Sequence, residues 1–224
     1  MGVIDSLGAG VKGLEVGQRV AGEGHVTCGH CRNCKGGRRE FCHNHTGVGV
    51  TRPGAFAEYV VIHEEGAVPM IPGWTYAQAS TLPCAALTAW HALVTRGQVT
   101  AGETVLVLGT GGVSLFALQI AKMHGARVIL TSSSDEKLAR GRALGADETI
   151  NYRQHPDWEQ RVLELTGGVG VDHVVEVGGA GTFEKSCASV RFGGNVWLIG
   201  VLTGFESQVN PLSVLFKSVN VKGI

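Results

Sequence analysis

The sequence has no net charge, no long apolar run and no targeting segment at its start. Lysine and arginine number 19, as do aspartate and glutamate, so the formal net charge is +0, which argues against a dedicated nucleic-acid or membrane surface. No apolar stretch approaches the roughly 20 residues of a membrane span. The start has no basic region followed by an apolar core, as a secretory signal would. We therefore expect a cytoplasmic chain with neither a nucleic-acid nor a membrane partner.

The remaining composition is that of a globular protein. Hydrophobic residues make up 44% and charged residues 17% of the 224 residues, a profile far from disorder. Glycine is the outlier, with 34 residues, and glycines gather at the tight strand-to-helix turns of α/β proteins. The six cysteines are expected to be thiols or metal ligands, because the cytosol keeps disulfides reduced.

The apolar pattern changes along the chain. Up to about residue 70, segments such as GQRVAG and AFAEYVVI predict short β strands, and WTYAQASTLPCAALTAWHALV then predicts helix with a break near Pro83. From Glu103 onward, amphipathic segments alternate with strand-like runs: ETVLVLG, ARVILT, DETINY, DHVVEVG, GNVWLIGV and the end of VLFKSVNVKGI. Six strands alternating with helices predict an α/β fold with a doubly wound parallel sheet.

Four cysteines lie in the segment CGHCRNCKGGRREFC, as Cys28, Cys31, Cys34 and Cys42. Closely spaced thiolates on a tight loop suit the tetrahedral geometry of Zn²⁺, whereas cysteines three residues apart are poor disulfide partners. We therefore predict a structural zinc site. Nearby basic residues offset its negative charge: Arg32, Lys35, Arg38 and Arg39.

Two other interpretations of this loop remain open. One is four reduced cysteines on a surface, where they would be liable to oxidation. The other is a zinc knuckle for nucleic acid, although only Phe41 offers an aromatic ring for base stacking. His30, His43 and His45 could serve as ligands, but with four thiolates present we expect them to be exposed loop residues.

A glycine loop follows the first buried strand of the alternation. In ETVLVLGTGGVS, Gly109, Gly111 and Gly112 allow a tight turn and close approach to a pyrophosphate, which rests on the following helix N-terminus. Ser114 stands at the third glycine of the usual fingerprint. The position between a buried strand and an amphipathic helix predicts a dinucleotide site; the alternative is a glycine-rich turn without a ligand.

The end of the second strand bears on which dinucleotide is bound. An acidic residue there usually binds the ribose hydroxyls of NAD, but the strand ends TSSS, with Ser132 in that place. Without a carboxylate to repel it, a 2′-phosphate could fit beside Ser132 and Ser133, with Lys137 as a cation. We predict NADP(H) in preference to NAD(H), which stays possible, since Lys137 could also be an ordinary solvated residue.

These motifs carry a resemblance to a known superfamily. GQRVAGEGHVTCGHCRNCKGGRREFCHNHTGVGVTRPGAFAEYVVI is similar to the structural-zinc lobe of medium-chain dehydrogenases, and within them to the L-threonine dehydrogenases. From about Glu65, the segments LPCAALTAWHAL, VLVLGTGGVSLFALQIAK and SSSDEKLARGRALGADETINY resemble the alcohol-dehydrogenase-like and quinone-oxidoreductase-like branch. The resemblance implies a partial GroES-like β domain at 1–83, with the zinc loop at 28–42, and an NAD(P)-binding Rossmann domain at 84–224.

The resemblance also adds residues to the cofactor site. In quinone-oxidoreductase relatives the lysine and tyrosine that match Lys137 and Tyr152 face the 2′-phosphate. Thr88, Val177, Gly200 and Val201 match cofactor-contacting positions, with ordinary helix and strand-end packing as the alternative. The predicted cofactor site comprises Thr88, Gly109, Gly111, Gly112, Val113, Ser132, Ser133, Lys137, Tyr152, Val177, Gly200 and Val201.

A second, catalytic zinc is implied by the resemblance, with an early cysteine, a Gly-His-Glu segment and a later cysteine or carboxylate as ligands. Cys84 matches the last of these, and the alternative for it is a buried small hydrophobe. The Gly-His-Glu segment would lie just before Met1. His25 matches an active-site histidine of the threonine dehydrogenases, or is a turn residue. We expect a chain truncated at both ends, and weak or no activity from this chain alone.

The resemblance implies an NAD(P)-dependent oxidoreductase of the zinc-type alcohol dehydrogenase class. It would pass a hydride between the cofactor and a small alcohol, aldehyde or ketone, and the front part favours L-threonine as an alternative substrate. In the full-length form a homo-oligomer is expected. The rival interpretation is a non-catalytic, zinc-stabilised nucleotide-binding protein.

Overall fold

The computed structural model describes residues 1–206 and 208–224. They form two compact units, Met1–Pro83 and Cys84–Ile224. None of the helices within these ranges has the length and apolar character needed to cross a membrane.

The first unit is built of short strands separated by long turns. Its strands are β1 (Gly2–Val3), β2 (Arg19–Gly22), β3 (His25–Val26), β4 (Thr46–Gly47) and β5 (Ala67–Pro69). An antiparallel sheet has the order β1-β2-β5, and β3 pairs with β4 as a separate antiparallel ribbon. The helices are α1 (Arg32–Lys35) and α2 (Tyr76–Ala79), with 3₁₀ turns at Arg39–Phe41 and Glu64–Gly66.

One strand prediction in this unit is wrong. GQRVAG forms β2 as predicted, but the segment AFAEYVVI, residues 55–62, adopts neither helix nor strand. Its apolar side chains are largely exposed, with Phe56 and Val61 among them. A strand needs a neighbour for its backbone hydrogen bonds, and no described segment pairs with residues 55–62. Alternation of apolar and polar residues along a segment describes its own side chains. It does not show whether another strand lies beside the segment to pair with it.

The second unit begins with a helical stretch and continues with six strands. Around α3 (Leu87–Trp90), π-helical turns run from Leu82–Ala86 and His91–Arg96. The predicted break falls at Ser80 and Thr81. Pro83 then lies in the first turn of the new segment, where its missing N–H costs no hydrogen bond.

Strands and helices then alternate to the end of the chain. They are β6 (Thr104–Val107), α4 (Gly112–Met123), β7 (Arg127–Ser132), α5 (Asp135–Ala143), β8 (Glu148–Asn151), α6 (Trp158–Leu165), β9 (Val171–Glu176), α7 (Phe183–Ser189), β10 (Val190–Leu198), α8 (Leu212–Lys217) and β11 (Asn220–Gly223). The strand order is β11-β10-β9-β6-β7-β8, and every pairing is parallel. The predicted α/β fold with a doubly wound parallel sheet is confirmed, and strand order reverses between β6 and β9.

Both faces of the sheet are buried, which explains the continuous apolar runs. Val105 and Val107 of β6 pack in one core cluster with Leu118 of α4. Leu106, between them, faces the other cluster with Val162 of α6. Successive side chains of a strand point to opposite faces, so a strand covered by helices on both sides needs apolar residues throughout.

A buried histidine lies inside this largely apolar sheet. His173 of β9 is 1% exposed, and its Nδ1 accepts a hydrogen bond from Trp197 Nε1 at 3.2 Å. The neutral ring therefore carries its proton on Nε2, 3.3 Å from a Glu103 carboxylate oxygen. Burial lowers the pKa of His173 and outweighs the opposing attraction of Glu103. The folded unit consequently holds this side chain neutral.

That burial predicts acid sensitivity of the second unit. Because the folded pKa lies below the unfolded value of about 6.5, the unfolded chain takes up the proton first as the pH falls. Stability is therefore lost below that value, at up to about 1.4 kcal/mol per pH unit for one proton. Thermal melts at pH 7.5 and 5.5 should show a smaller acid-induced fall for His173→Phe than for the wild type. His155→Gln, at an exposed histidine, is the control, and equal falls in wild type and His173→Phe would refute this origin.

Candidate functional site

The four cysteines of the first unit come together at one point. Their sulfur atoms lie within 4.8 Å of one another, and no other group of three or more histidine, cysteine or acidic side chains in the described ranges could hold a metal. Sγ···Sγ distances are 3.4 Å for Cys31–Cys34, 3.6 Å for Cys28–Cys42 and 3.9 Å for Cys28–Cys34. Four thiolates at about 2.3 Å from Zn²⁺ stand about 3.8 Å apart, so the donor set fits that ion.

The surroundings of these thiols shift their pKa values in different directions. Cys31 is the N-cap of α1, and the backbone N–H of Cys34 lowers the pKa of the Cys31 thiol to about 6. Burial raises the pKa of Cys34 to about 11. The local hydrogen bonding thus favours the thiolate form of Cys31, whereas burial disfavours that of Cys34, and each thiol must lose its proton to bind a metal. Metal affinity should therefore weaken as the pH falls.

The loop that carries the cysteines is closed at its base and anchored at its side. The loop connects β3 to β4, which pair as an antiparallel ribbon in which Val26 is opposite Thr46. Arg39 makes two hydrogen bonds of 2.7 Å each to Glu65, the bidentate geometry of a strong ion pair. This pairing lowers the pKa of Glu65. The Arg39 guanidinium therefore pairs with Glu65 and not with the cysteine sulfur atoms.

The nearby histidines point elsewhere. Nδ1 of His30 lies 2.6 Å from the carbonyl oxygen of Cys28, and Nδ1 of His45 lies 2.9 Å from that of Cys42. All three histidines, His30, His43 and His45, are exposed as expected. None of the three enters the ligand group. The four thiols alone make up the candidate centre, as the sequence predicts.

In the second unit, the glycine loop connects β6 to α4 beside the point where strand order reverses. Gly109 has a φ of +73°, in the left-handed region that favours glycine. Its N–H donates to Thr131 Oγ1 at 3.2 Å. The buried Ser114 hydroxyl donates to the Leu108 carbonyl at 2.7 Å. Serine at the third fingerprint position thus closes the turn at the end of the strand.

The other two glycines differ in what surrounds them. A Cβ at Gly112 would lie 3.2 Å from the Cβ of Ala85, tighter than an ordinary contact, whereas a Cβ at Gly111 would meet nothing within 4 Å. Gly111 is the N-cap of the 12-residue helix α4 and has no side-chain cap. Open space before a helix N-terminus suits an anion, and Gly111 borders it.

The predicted ribose-facing residues lie along the adjacent strand ends. Ser132 ends β7 and is 3% exposed, with its hydroxyl 3.3 Å from that of Thr110. The N–H of Tyr152 donates to the Ser132 carbonyl at 3.0 Å, which brings Tyr152 to the same edge. Lys137, in the first turn of α5, is exposed. The structure therefore gathers Ser132, Ser133, Lys137 and Tyr152 at one corner, with Ser132 the least accessible.

The sequence interpretation overlooked a carboxylate at this corner. Asp135 accepts hydrogen bonds from Asn151 Nδ2 at 2.7 Å and from Gln154 Nε2 at 3.0 Å, and Asn151 is the register partner of Ser132. Two amide donors therefore occupy its oxygens. The signal was present as an acid three residues beyond the strand end, where the fingerprint does not expect one.

The remaining predicted cofactor residues lie on several elements. Val177 follows β9, and Gly200 and Val201 follow β10. Gly200 donates its N–H to the Glu176 carbonyl at 3.2 Å, so these two loops meet. Val113 packs against a core cluster, and Thr88 is half-buried in α3. Sequence reasoning also passed over Glu176, a fully buried acid whose signal was a charge within the apolar run DHVVEVG.

The two predicted catalytic residues are not joined in a ligand cluster. Cys84 is exposed, so the interpretation as a buried small hydrophobe is wrong. His25 is exposed in β3, with its ring 6.3 Å from that of His45. Neither belongs to a group of three or more potential ligands within residues 1–206 and 208–224.

Two surface clefts in the second unit lie away from these residues. The larger, of about 450 Å³, runs from Gln154 to Glu164, and the smaller, of about 230 Å³, lies between Asp135 and His155. None of the predicted cofactor residues lines either cleft. The predicted dinucleotide site follows the carboxyl edge of the sheet instead.

Comparison with known proteins accounts for both units. Residues 112–224 match the zinc-binding dehydrogenase family, and residues 1–72 match the alcohol dehydrogenase GroES-like domain. The chain is 40% identical to a zinc-type alcohol dehydrogenase-like protein of Schizosaccharomyces pombe and 38% identical to L-threonine 3-dehydrogenase of Deinococcus radiodurans. Each alignment covers all of this chain and 64% of the relative. The chain therefore spans about two thirds of the length of these curated relatives.

A solved structure agrees. The crystal structure of an NAD-dependent alcohol dehydrogenase is 39% identical, with a TM-score of 0.92, over 99% of this chain and 65% of that one. Single relatives thus align across both parts, so the two likenesses seen in the sequence do not divide the chain. The chain belongs to the zinc-binding dehydrogenase family, with the GroES-like domain of the alcohol dehydrogenases, a family of oxidoreductases that use zinc and a nicotinamide cofactor.

Proposed function

We propose that this protein transfers a hydride between a nicotinamide dinucleotide and an alcohol–carbonyl pair. The observation that carries the proposal is the glycine loop from Gly109 to Gly112, which joins a buried strand to α4 where strand order reverses. Dinucleotides bind at that place in doubly wound sheets. Residues 84–224 are proposed as the dinucleotide-binding domain and residues 1–83 as a partial GroES-like domain.

Each part of the chain has a defined task in this proposal. The N-terminus of α4 binds the pyrophosphate, and Gly111 leaves room for its approach. When bound, the nicotinamide ring supplies the hydride chemistry, and a structural zinc crosslinks the loop of the first unit. Cys28, Cys31, Cys34 and Cys42 would fill all four positions of a tetrahedral ion. Such a site holds structure and leaves no position open for a substrate oxygen.

A preference for NADP(H) is our finer proposal. Lys137 is exposed and its ammonium has no hydrogen-bond or ion-pair partner among residues 1–206 and 208–224. It lies at the same corner as Ser133 and Tyr152, which suits a 2′-phosphate. The Asp135 carboxylate at this corner already accepts from Asn151 and Gln154. NAD(H) is the alternative, supported by the NAD-dependent solved relative.

Removing the Lys137 cation tests both the site and the preference. Lys137→Gln should weaken NADPH binding about tenfold, the loss of one charge-assisted contact worth about 1.4 kcal/mol. NADH, which lacks the 2′-phosphate, should bind as before. Nucleotide fluorescence titration of both cofactors measures this directly.

The matched control removes an equal charge from another face of the same helix. Arg142→Gln in α5 should leave both affinities unchanged. Stronger binding of NADH than of NADPH by the wild type would contradict the preference. Failure of the wild type to bind either cofactor would contradict the proposed function itself.

L-Threonine oxidation is the second candidate for the substrate. Its support is the 38% identity to L-threonine 3-dehydrogenase across the whole chain, together with His25 exposed beside the zinc loop. Reduction of either nicotinamide cofactor with L-threonine, compared with simple secondary alcohols, distinguishes the candidates. Faster turnover with L-threonine would replace the generic alcohol proposal.

A further inference from the structure

Two loops leave the carboxyl ends of β9 and β10 and bind each other through their backbones. The N–H of Ile199 donates to the Glu176 carbonyl at 2.8 Å, and the N–H of Thr203 donates to the Gly178 carbonyl at 2.8 Å. In return, the N–H of Gly181 donates to Thr203 Oγ1 at 2.7 Å. Residues 177–182 and 199–204 consequently form one platform, which we call the second-half platform.

Glycines allow this close contact. Gly179 has a φ of +83°, and a Cβ there would lie 2.8 Å from the Cα of Val201. A Cβ at Gly200 would overlap the carbonyl oxygen of Val177. Backbone lies against backbone at these two glycines, and the loops are joined by hydrogen bonds, two of which involve the Thr203 side chain.

The side chain of Glu176 supplies a set of those bonds from beneath. It is 0% exposed, and its Oε1 accepts from the N–H groups of Gly178 at 2.7 Å and Gly179 at 3.0 Å. The same oxygen accepts from Thr182 Oγ1 at 2.7 Å, and Oε2 accepts from the hydroxyl of Ser186. One carboxylate thus joins the start of the first loop to α7.

Glu176 therefore has four hydrogen-bonding partners, the backbone N–H groups of Gly178 and Gly179 and the hydroxyls of Thr182 and Ser186, so both of its oxygens are paired. No ion pair to Glu176 is found in the part of the chain that the structure describes. A buried charge without a cation is costly unless hydrogen bonds compensate it. Removing the Glu176 side chain would leave the buried N–H groups of Gly178 and Gly179 without their acceptor.

We infer that Glu176 is a positioning residue, which shapes the second-half platform to bind the nicotinamide half of the dinucleotide. The inference rests on the proposed function. In a doubly wound sheet each half binds one mononucleotide; the glycine loop and ribose corner lie on the β6–β8 half, and the platform lies on the β9–β11 half. Val177, Gly200 and Val201, the predicted cofactor contacts, all belong to this platform.

Variants of the full chain separate positioning from folding. Glu176→Ala should weaken NADPH and NADH binding about tenfold or more, since two loop N–H groups lose their acceptor. Binding of ADP-ribose and its 2′-phosphate, probes of the adenine half alone, should change less than about twofold. Glu176→Gln should restore dinucleotide binding to within about threefold, because its amide oxygen can keep three donors and its NH₂ can donate to Ser186.

Amide hydrogen exchange gives a readout that does not depend on a cofactor. Residues 177–182 and 199–204 should exchange faster in Glu176→Ala than in the wild type, with β6 and α4 unchanged. If Glu176→Ala fails to fold, Thr182→Val, which removes a single donor, decides the question with a smaller loss, about threefold, in dinucleotide binding alone.

Different results would contradict the positioning role of Glu176 and the proposed function. Equal losses for the dinucleotides and the ADP-ribose probes, or no loss for either, would overturn the positioning role while wild-type binding still supports the proposed function. A wild-type chain that binds none of the probes overturns the proposed function, and this inference with it.

Discussion

Replacing Cys31 with serine is expected to reduce bound zinc from about one ion per chain to a small fraction of that at equal free zinc. The hydroxyl is a far poorer ligand than a thiolate, and even the loss of an outer-shell partner costs metal sites roughly 10–100-fold in affinity. Because Cys31 also caps α1 through its Sγ, a serine preserves the cap, for which its hydroxyl is well suited. The variant therefore removes the ligand and keeps the helix start.

Metal analysis after gel filtration, with a chromogenic chelator for affinity, measures this loss. Cys84→Ser is the matched control, since that cysteine is exposed and lies outside the ligand group, and it should retain all bound zinc. Undiminished zinc in Cys31→Ser would refute the site. The dinucleotide affinity of Cys31→Ser should match that of the wild type, because the glycine loop belongs to the other compact unit.

Local patterns in the sequence were enough to predict the sheet and the cysteine cluster. Apolar runs with no polar face predict strands covered on both sides, and the two core clusters on alternate residues of β6 show that cover. The spacing of Cys28, Cys31, Cys34 and Cys42 within one short loop fixes their meeting point, since few residues separate them. Both the apolar runs and the cysteine spacing involve residues close together in the chain, and so both can be recognised from the sequence.

Long-range partners were not predictable in the same way. The segment at residues 55–62 alternates like a strand yet pairs with no described segment, because pairing depends on a second strand that its own pattern does not specify. The Asp135 contacts to Asn151 and Gln154 likewise join residues 16 and 19 positions apart. Glu176 was passed over because its role lies in which donors surround it, and only the fold brings Gly178, Thr182 and Ser186 to one carboxylate.

Substituting Gly111 should change thermal stability and dinucleotide affinity in opposite directions, with stability kept or raised and affinity lowered. Gly111 caps α4 with φ −79° and ψ −179°, a backbone that any residue adopts, and a Cβ there meets nothing within 4 Å. Asparagine and aspartate are better N-caps than glycine by a few tenths of a kcal/mol, and aspartate also complements the helix dipole. Both variants should therefore melt at or slightly above the wild-type temperature.

Dinucleotide binding should fall in the same two variants. The side chain of Gly111→Asn occupies the space through which the pyrophosphate approaches the backbone, so affinity should drop about tenfold or more. Gly111→Asp adds a negative charge beside the two phosphates in a partly desolvated site, and the loss should reach about a hundredfold or more. Titration with NADPH and NADH by fluorescence, alongside thermal melts, measures both effects. Affinity should decrease in the order wild type, Gly111→Asn, Gly111→Asp. The first step measures the steric effect of the side chain, and the second measures the effect of its charge. Wild-type affinity in Gly111→Asp would mean that no phosphate approaches this helix terminus, and the dinucleotide site would have to lie elsewhere on the sheet.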